Sequence, residues 1–156
     1  MSEFDIKRAF SVCITGHRAV EKDITKEYVE KYLKSLVERD FTTFYVGMAL
    51  GFDTLCFKIL EKIREQKKIK IVACIPCPSQ PERFSFSQKK EYFRMIESAD
   101  EKVILSQEYT PYCMQKRNQY MVDNSGVVLA YLRKSSGGTY NTVRYANQKG
   151  VPVIKI

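Results

Sequence analysis

Histidine is almost absent from this chain. His17 is the only one, and there is no tryptophan at all. A single histidine excludes a histidine-built metal site and makes a catalytic triad improbable. The G-x-S-x-G elbow of serine hydrolases is missing as well. No apolar run approaches the roughly 20 residues that a membrane-spanning helix needs. The segment Met1 to Phe10 carries acidic residues and no apolar stretch, so it does not read as a secretory signal. The five cysteines are odd in number and sit among apolar neighbours. That suits a reducing cytoplasm better than an exported disulfide framework. A cytoplasmic protein with no membrane association is the expectation.

What is present points to an ordinary globular chain. Its 156 residues fit one domain, residues 1–156, long enough to bury a core without disulfide or metal staples. Apolar residues make up 44% and charged residues 28%, which fits neither a disordered chain nor a fibre. Lysine and arginine outnumber acids 26 to 18, for a net charge of +8. Such a surface favours anionic partners: phosphorylated small molecules, nucleic acid or acidic proteins. The basic residues are scattered, however, and scattered lysines also simply solvate helix faces.

Strand-like and helix-like segments alternate along the chain. "SVCIT" from Ser11, "TTFYVG" from Thr42, "IKIVACI" from Ile69, "KVIL" from Lys102, "GVVLAYL" from Gly126 and the closing "VPVIKI" read as strands. Pro152 suggests that the last of these is an edge strand or starts one. Between them lie amphipathic stretches, such as Ile24, Tyr28, Tyr32 and Leu36 at spacings of four, which read as helices. Strand and helix in repeated alternation is the pattern of an α/β fold with a doubly wound, mostly parallel sheet, a Rossmann-like three-layer sandwich. One long irregular stretch, Cys77 to Ser87, interrupts it, and a loop of that length is usually functional or mobile.

The placement of the seven glycines is the most informative feature. Gly16 follows the first strand, Gly47 and Gly51 the second, and Gly137 and Gly138 the fifth. In a parallel sheet those turns share the carboxyl edge, where open α/β sheets bind ligands. Gly126 and Gly150 fall at the opposite edge. Glycine-bearing turns that lead into helix N-termini offer bare N–H groups to phosphate; tight turns alone would also use glycine.

Each turn adds polar groups. "TGHR" supplies Gly16, His17 and Arg18, the last a fork suited to phosphate or carboxylate. "GMALGFD" supplies Gly47, Met48, Ala49 and Gly51, with Asp53 either capping its own helix or accepting from a ribose hydroxyl. "KRNQYMVDNS" places Arg117 and Asn118 near a helix start. "SSGGTYNT" supplies Ser136, Gly137, Gly138, Thr139, Asn141 and Thr142 around the last helix N-terminus. Phe84 or Phe86 is placed to stack on a base. Neither the dinucleotide fingerprint G-x-G-x-x-G nor the P-loop G-x-x-x-x-G-K-[ST] occurs. "CIPC", Cys74 to Cys77, lacks a second cysteine pair and lies partly in a strand, so it reads as structural.

Taken in order, "CITGHR", "GMALGFD", "IPCPSQ", "KRNQYMVDNS" and "GGTYNTVRYA" resemble the SLOG superfamily, within it most closely the bacterial and phage branch of YpsA-like proteins. The resemblance covers nearly the whole chain. It implies a Rossmann-like domain whose carboxyl-edge loops hold the phosphate of a nucleotide or nucleotide-sugar, such as an ADP-ribose or cyclic-nucleotide-like signal. That superfamily also includes DNA-processing protein A and the Lonely Guy phosphoribohydrolases. The latter carry P-G-G-x-G-T-x-x-E, and here Thr142 stands where the glutamate falls. A threonine supplies no carboxylate, and Asp53, Glu82 and Asp123 come with no matching motif. The reading is therefore a binding protein that senses or sequesters a small phosphorylated nucleotide, with no catalytic residue, no cofactor and no metal. Related folds often pair, so a homo-oligomer is expected. The alternatives are a hydrolase of nucleotide N-glycosidic or phosphate bonds and a single-stranded nucleic-acid-binding module.

Overall fold

The computed structural model describes residues 1–156. Six strands form one sheet: β1 (Ser11–Gly16), β2 (Thr43–Val46), β3 (Lys70–Ile75), β4 (Glu101–Ile104), β5 (Val127–Tyr131) and β6 (Val153–Lys155). The helices are α1 (Glu3–Ala9), α2 (Lys26–Glu38), α3 (Phe52–Arg64), α4 (Phe86–Ser98), α5 (Cys113–Asp123) and α6 (Gly138–Lys149). The sheet is parallel throughout rather than mostly so.

Strand order is β4-β3-β2-β1-β5-β6. The chain builds outward from β1 through β2, β3 and β4, then returns to the other side of β1 for β5 and β6. The reversal between β1 and β5 is a topological switch point, and its carboxyl end is the crevice where such sheets bind ligands. β6 is an edge strand that begins just after Pro152, as the proline requires.

Side chains of the central strands alternate between two cores. Val12 and Ile14, Phe44 and Val46, Ile71 and Ala73, and Leu129 and Tyr131 pack with α2, α3 and α4. Cys13, Tyr45, Val72, Cys74, Val128 and Ala130 face α5 and α6. Burial on both faces explains why these strands read as continuous apolar runs and not as an alternating pattern.

Two local signals set helix starts that the periodicity alone misses. Ser2 and Asp5 form a capping box that starts α1, a helix of which no residue is buried. Ser85 and Gln88 form another, which starts α4 at Phe86 and shortens the irregular stretch. No helix is long and apolar enough to cross a membrane.

Candidate carboxyl-edge site

The turns after β1 and β2 lock together. The amide of Phe52 donates to the carbonyl of His17 at 3.2 Å. Gly51, the residue before α3, has φ of +83°, and a Cβ there would collide with the carbonyl oxygen of Arg18. Only glycine tolerates both conditions. Between them, Met48 is buried with φ of +64°, a left-handed conformation that costs a non-glycine residue free energy.

Beneath this turn lies a buried charge arrangement. Asp53 and Arg117 are each 5% exposed. A Cβ on Gly47 would lie 2.9 Å from the guanidinium carbon of Arg117 and 3.1 Å from Oδ2 of Asp53, so only a residue without one leaves both charges their space. Asp53 Oδ2 accepts from the amide of Ala49 at 3.1 Å, while Oδ1 has no hydrogen-bond partner. Burial pushes the Asp53 carboxyl up to about 6, against the pull of Arg117 and the Ala49 amide. Arg117 donates to the carbonyl of Gly47 and, through Nε, to Asn118 Oδ1 at 2.8 Å. Asp53 thus braces the β2 turn and does not cap its own helix, which Gly51 precedes without a side-chain cap. The Arg117 guanidinium points inward, to the main chain.

The switch point is closed by the turn after β5. His17 Nε2 accepts from the amide of Arg133 at 2.7 Å, which places the ring proton on Nδ1. Burial, with Lys134 and Arg133 nearby, holds the imidazole below its ordinary value, in the neutral form. Tyr131 packs edge-on against His17, and its hydroxyl accepts from the amide of Glu21 at 3.1 Å. The Arg133 guanidinium donates to the Ile156 carbonyl at 2.6 Å and to Asp23 at 3.1 Å.

Besides an apolar groove of about 250 Å³ between Met48, Leu50, Phe84 and α4, two clefts open on this edge, and Met114 lines both. The larger, about 680 Å³, is lined by Arg18, Ala49, Gln80, Glu82, Phe84 and Tyr109 among others. Arg18 is exposed, has no carboxylate in ion-pair reach, and sits 6.0 Å from the centroid of the Phe84 ring. Phe84 packs edge-on against Tyr92, whereas Phe86 is 86% exposed and lines neither cleft. The smaller cleft, about 240 Å³, lies between α5 and α6, lined by Gln115, Asn118, Gln119, Gly138, Asn141 and Tyr145 among others. Gly137 precedes α6 with no side-chain cap, and the amides of Gly138, Thr139 and Tyr140 have no main-chain acceptor.

The structure therefore gathers the candidate residues on one edge but divides them. Arg18 and Ala49 line the larger cleft; Asn118, Gly138, Asn141 and Thr142 line the smaller. Gly47, Asp53 and Arg117 lie beneath, lining neither. The Thr142 hydroxyl donates to the Gly138 carbonyl at 2.8 Å, Thr139 is buried, and Ser136 is exposed. Asp123, a candidate carboxylate, ends α5 at the opposite edge and accepts from the Tyr145 hydroxyl. Sequence reasoning missed Gln80, Tyr131 and Arg133. Gln80 donates to the Gly47 carbonyl at 3.0 Å and accepts from the Tyr92 hydroxyl at 2.9 Å, and only its place in the long loop after β3 hinted at it.

The fold has known counterparts. DNA processing protein A from Helicobacter pylori, whose structure was described for its single-stranded DNA binding mode, matches with a TM-score of 0.68 at 16% identity. The match covers 97% of this chain and 66% of that one. DNA processing protein A from Streptococcus pneumoniae matches with a TM-score of 0.69 at 17% identity, over 93% of this chain and 49% of that one. The chain thus spans less than two thirds of either protein, and at such identity the likeness is one of fold. An uncharacterized SPbeta prophage-derived protein of Bacillus subtilis, YoqJ, is 33% identical over 144 residues, 83% of this chain and 76% of YoqJ. Residues 7–151 match the model of the YspA SLOG family, and with a relative this similar over most of its length, the chain belongs to that family.

Proposed function

We propose that the carboxyl edge binds a phosphorylated nucleotide or nucleotide-sugar, of the ADP-ribose or cyclic-nucleotide kind, for sensing or sequestration. The observation that carries this reading is the pairing of two anion-seeking features across the switch point. On one side the exposed Arg18 guanidinium stands over the larger cleft without a carboxylate partner. On the other, the first amides of α6 open beside the amide side chains of Asn118 and Asn141. An anion at the N-terminus of α6 gains hydrogen bonds and the favourable end of the helix dipole. Phe84 offers an aromatic surface beside Arg18, suited to a base.

The test is nucleotide-dependent thermal stabilisation. A charge-assisted bond from arginine to phosphate contributes about 1.5–3 kcal/mol. Arg18→Ala should therefore weaken binding roughly 10- to 100-fold and leave the melting temperature of the free protein unchanged. Stabilisation that persists undiminished in the variant overturns the assignment. Turnover is not part of the proposal: Thr142 brings no carboxylate, and its hydroxyl is engaged by Gly138. Nucleotide recovered intact after incubation and denaturation agrees with binding; a cleaved product supports the hydrolase reading instead.

A second reading, a single strand of nucleic acid, is favoured by the fold shared with a DNA-binding protein and by the +8 charge. Affinity that grows with oligonucleotide length and falls steeply with salt would select it over the mononucleotide.

A further inference from the structure

One cysteine of the C-x-x-C pair has a sulfur partner outside the motif. Cys74 is in β3 and faces the core under α5 and α6. Cys77, just beyond the strand, lies with its sulfur 3.8 Å from that of Cys113, the first residue of α5 and 36 positions away. Both are free thiols. Cys77 is buried, at 1% exposure, but borders the larger cleft, the side from which a small oxidant reaches it; Cys113 is wholly buried and does not line the cleft.

We infer that Cys77 and Cys113 form a peroxide-responsive dithiol pair at the base of the larger cleft. The Cys77 thiolate attacks one oxygen of hydrogen peroxide. The O–O bond breaks, hydroxide leaves and takes up a proton as water, and Cys77 is left as the sulfenic acid. The Cys113 thiolate then attacks that sulfur, the S–O bond breaks, and a second water leaves. The balance is two thiols and one peroxide giving one disulfide and two waters. Closing the sulfurs from 3.8 Å to the roughly 2.05 Å of a disulfide draws the β3 turn toward α5. That turn carries Gln80, which holds the Gly47 carbonyl, so oxidation bears on the same edge as the proposed ligand.

The experiment needs no nucleotide. The full-length reduced protein is treated with one equivalent of hydrogen peroxide, denatured, alkylated with a maleimide and weighed intact, and the product is mapped by proteolysis. The expected result is three alkylated cysteines of the five and a linked peptide joining Cys77 to Cys113. Cys74→Ser should still form that link. Cys113→Ser should stop at a sulfenic acid on Cys77, trapped by dimedone. Five alkylated thiols after treatment, or a link from Cys74 to Cys77, would overturn the inference.

Discussion

The buried carboxyl of Asp53 makes a prediction about stability and pH whose sign follows from its surroundings. Its ordinary value is 3.8, and burial raises it to about 6 in the folded chain. Well below pH 3.8 the group is neutral in both folded and unfolded states and has no effect. Between pH 4 and pH 6 the unfolded chain releases the proton first, so the unfolded state gains and stability falls as pH rises. Above pH 6 both states are ionised, and the folded state carries the full cost of a desolvated carboxylate. A shift of about two pH units corresponds to about 3 kcal/mol. Asp53→Asn keeps the shape and removes the titration. Urea unfolding of both proteins from pH 4 to pH 8 isolates the effect, because every other titrating group cancels in the difference. The stability of the wild type minus that of the variant should drop by about 2.5 kcal/mol between pH 4 and pH 7 and stay level above. A flat difference would mean that Asp53 is solvated. A rising one would mean that Arg117 outweighs burial. Either refutes the electrostatic account of the β2 turn.

The same edge yields smaller tests. Gly51→Ala forces a left-handed alanine against the Arg18 carbonyl and should cost about 2 kcal/mol or more, read as a lower melting temperature. Because His17 is the sole histidine, its imidazole gives one titrating signal by nuclear magnetic resonance, and the midpoint should fall below the ordinary value of 6.5. Ser85→Ala removes the acceptor for the Gln88 amide at the start of α4 and should cost about 1 kcal/mol by chemical denaturation.

Most of the fold was legible because its signals are local. The runs from Ser11, Thr42, Ile69 and Gly126 are strands buried on both faces, and their apolar continuity shows it directly. Helix α1 was not legible from periodicity, since it buries nothing; only the Ser2–Asp5 capping box marks it. The site was legible in part. Glycine positions after strands mark turns that parallel topology puts on one edge, and there they lie. What a side chain does there was not legible. Arg117 and Arg18 look alike in sequence, yet one is buried over Gly47 and the other faces a cleft. That difference is set by packing, since Arg117 lies on α5 against the β2 turn and Arg18 in an exposed turn after β1, and neither placement has a local pattern. Tyr131 hid as the last residue of an apolar strand, though its hydroxyl pins the segment after Arg18.

The Gly47 carbonyl gathers the contacts that hold this edge in shape. A single main-chain oxygen accepts from Arg117 of α5 and Gln80 of the β3 turn, while Asp53 of α3 closes in beside Arg117 over the same residue. Three elements from both faces of the sheet are thus fixed on one turn, including a buried methionine with a positive φ. Buried charges and a strained residue are poor means of stabilising a fold, since an apolar triplet of similar volume would serve at least as well. They are effective at holding a turn in one geometry. A ligand that meets turns already held there gives up little further conformational entropy on binding. The cost of the Asp53–Arg117 arrangement is therefore best understood as preorganisation. It holds the β2 turn between Arg18 and the free amides of α6, which lie on either side of the switch point.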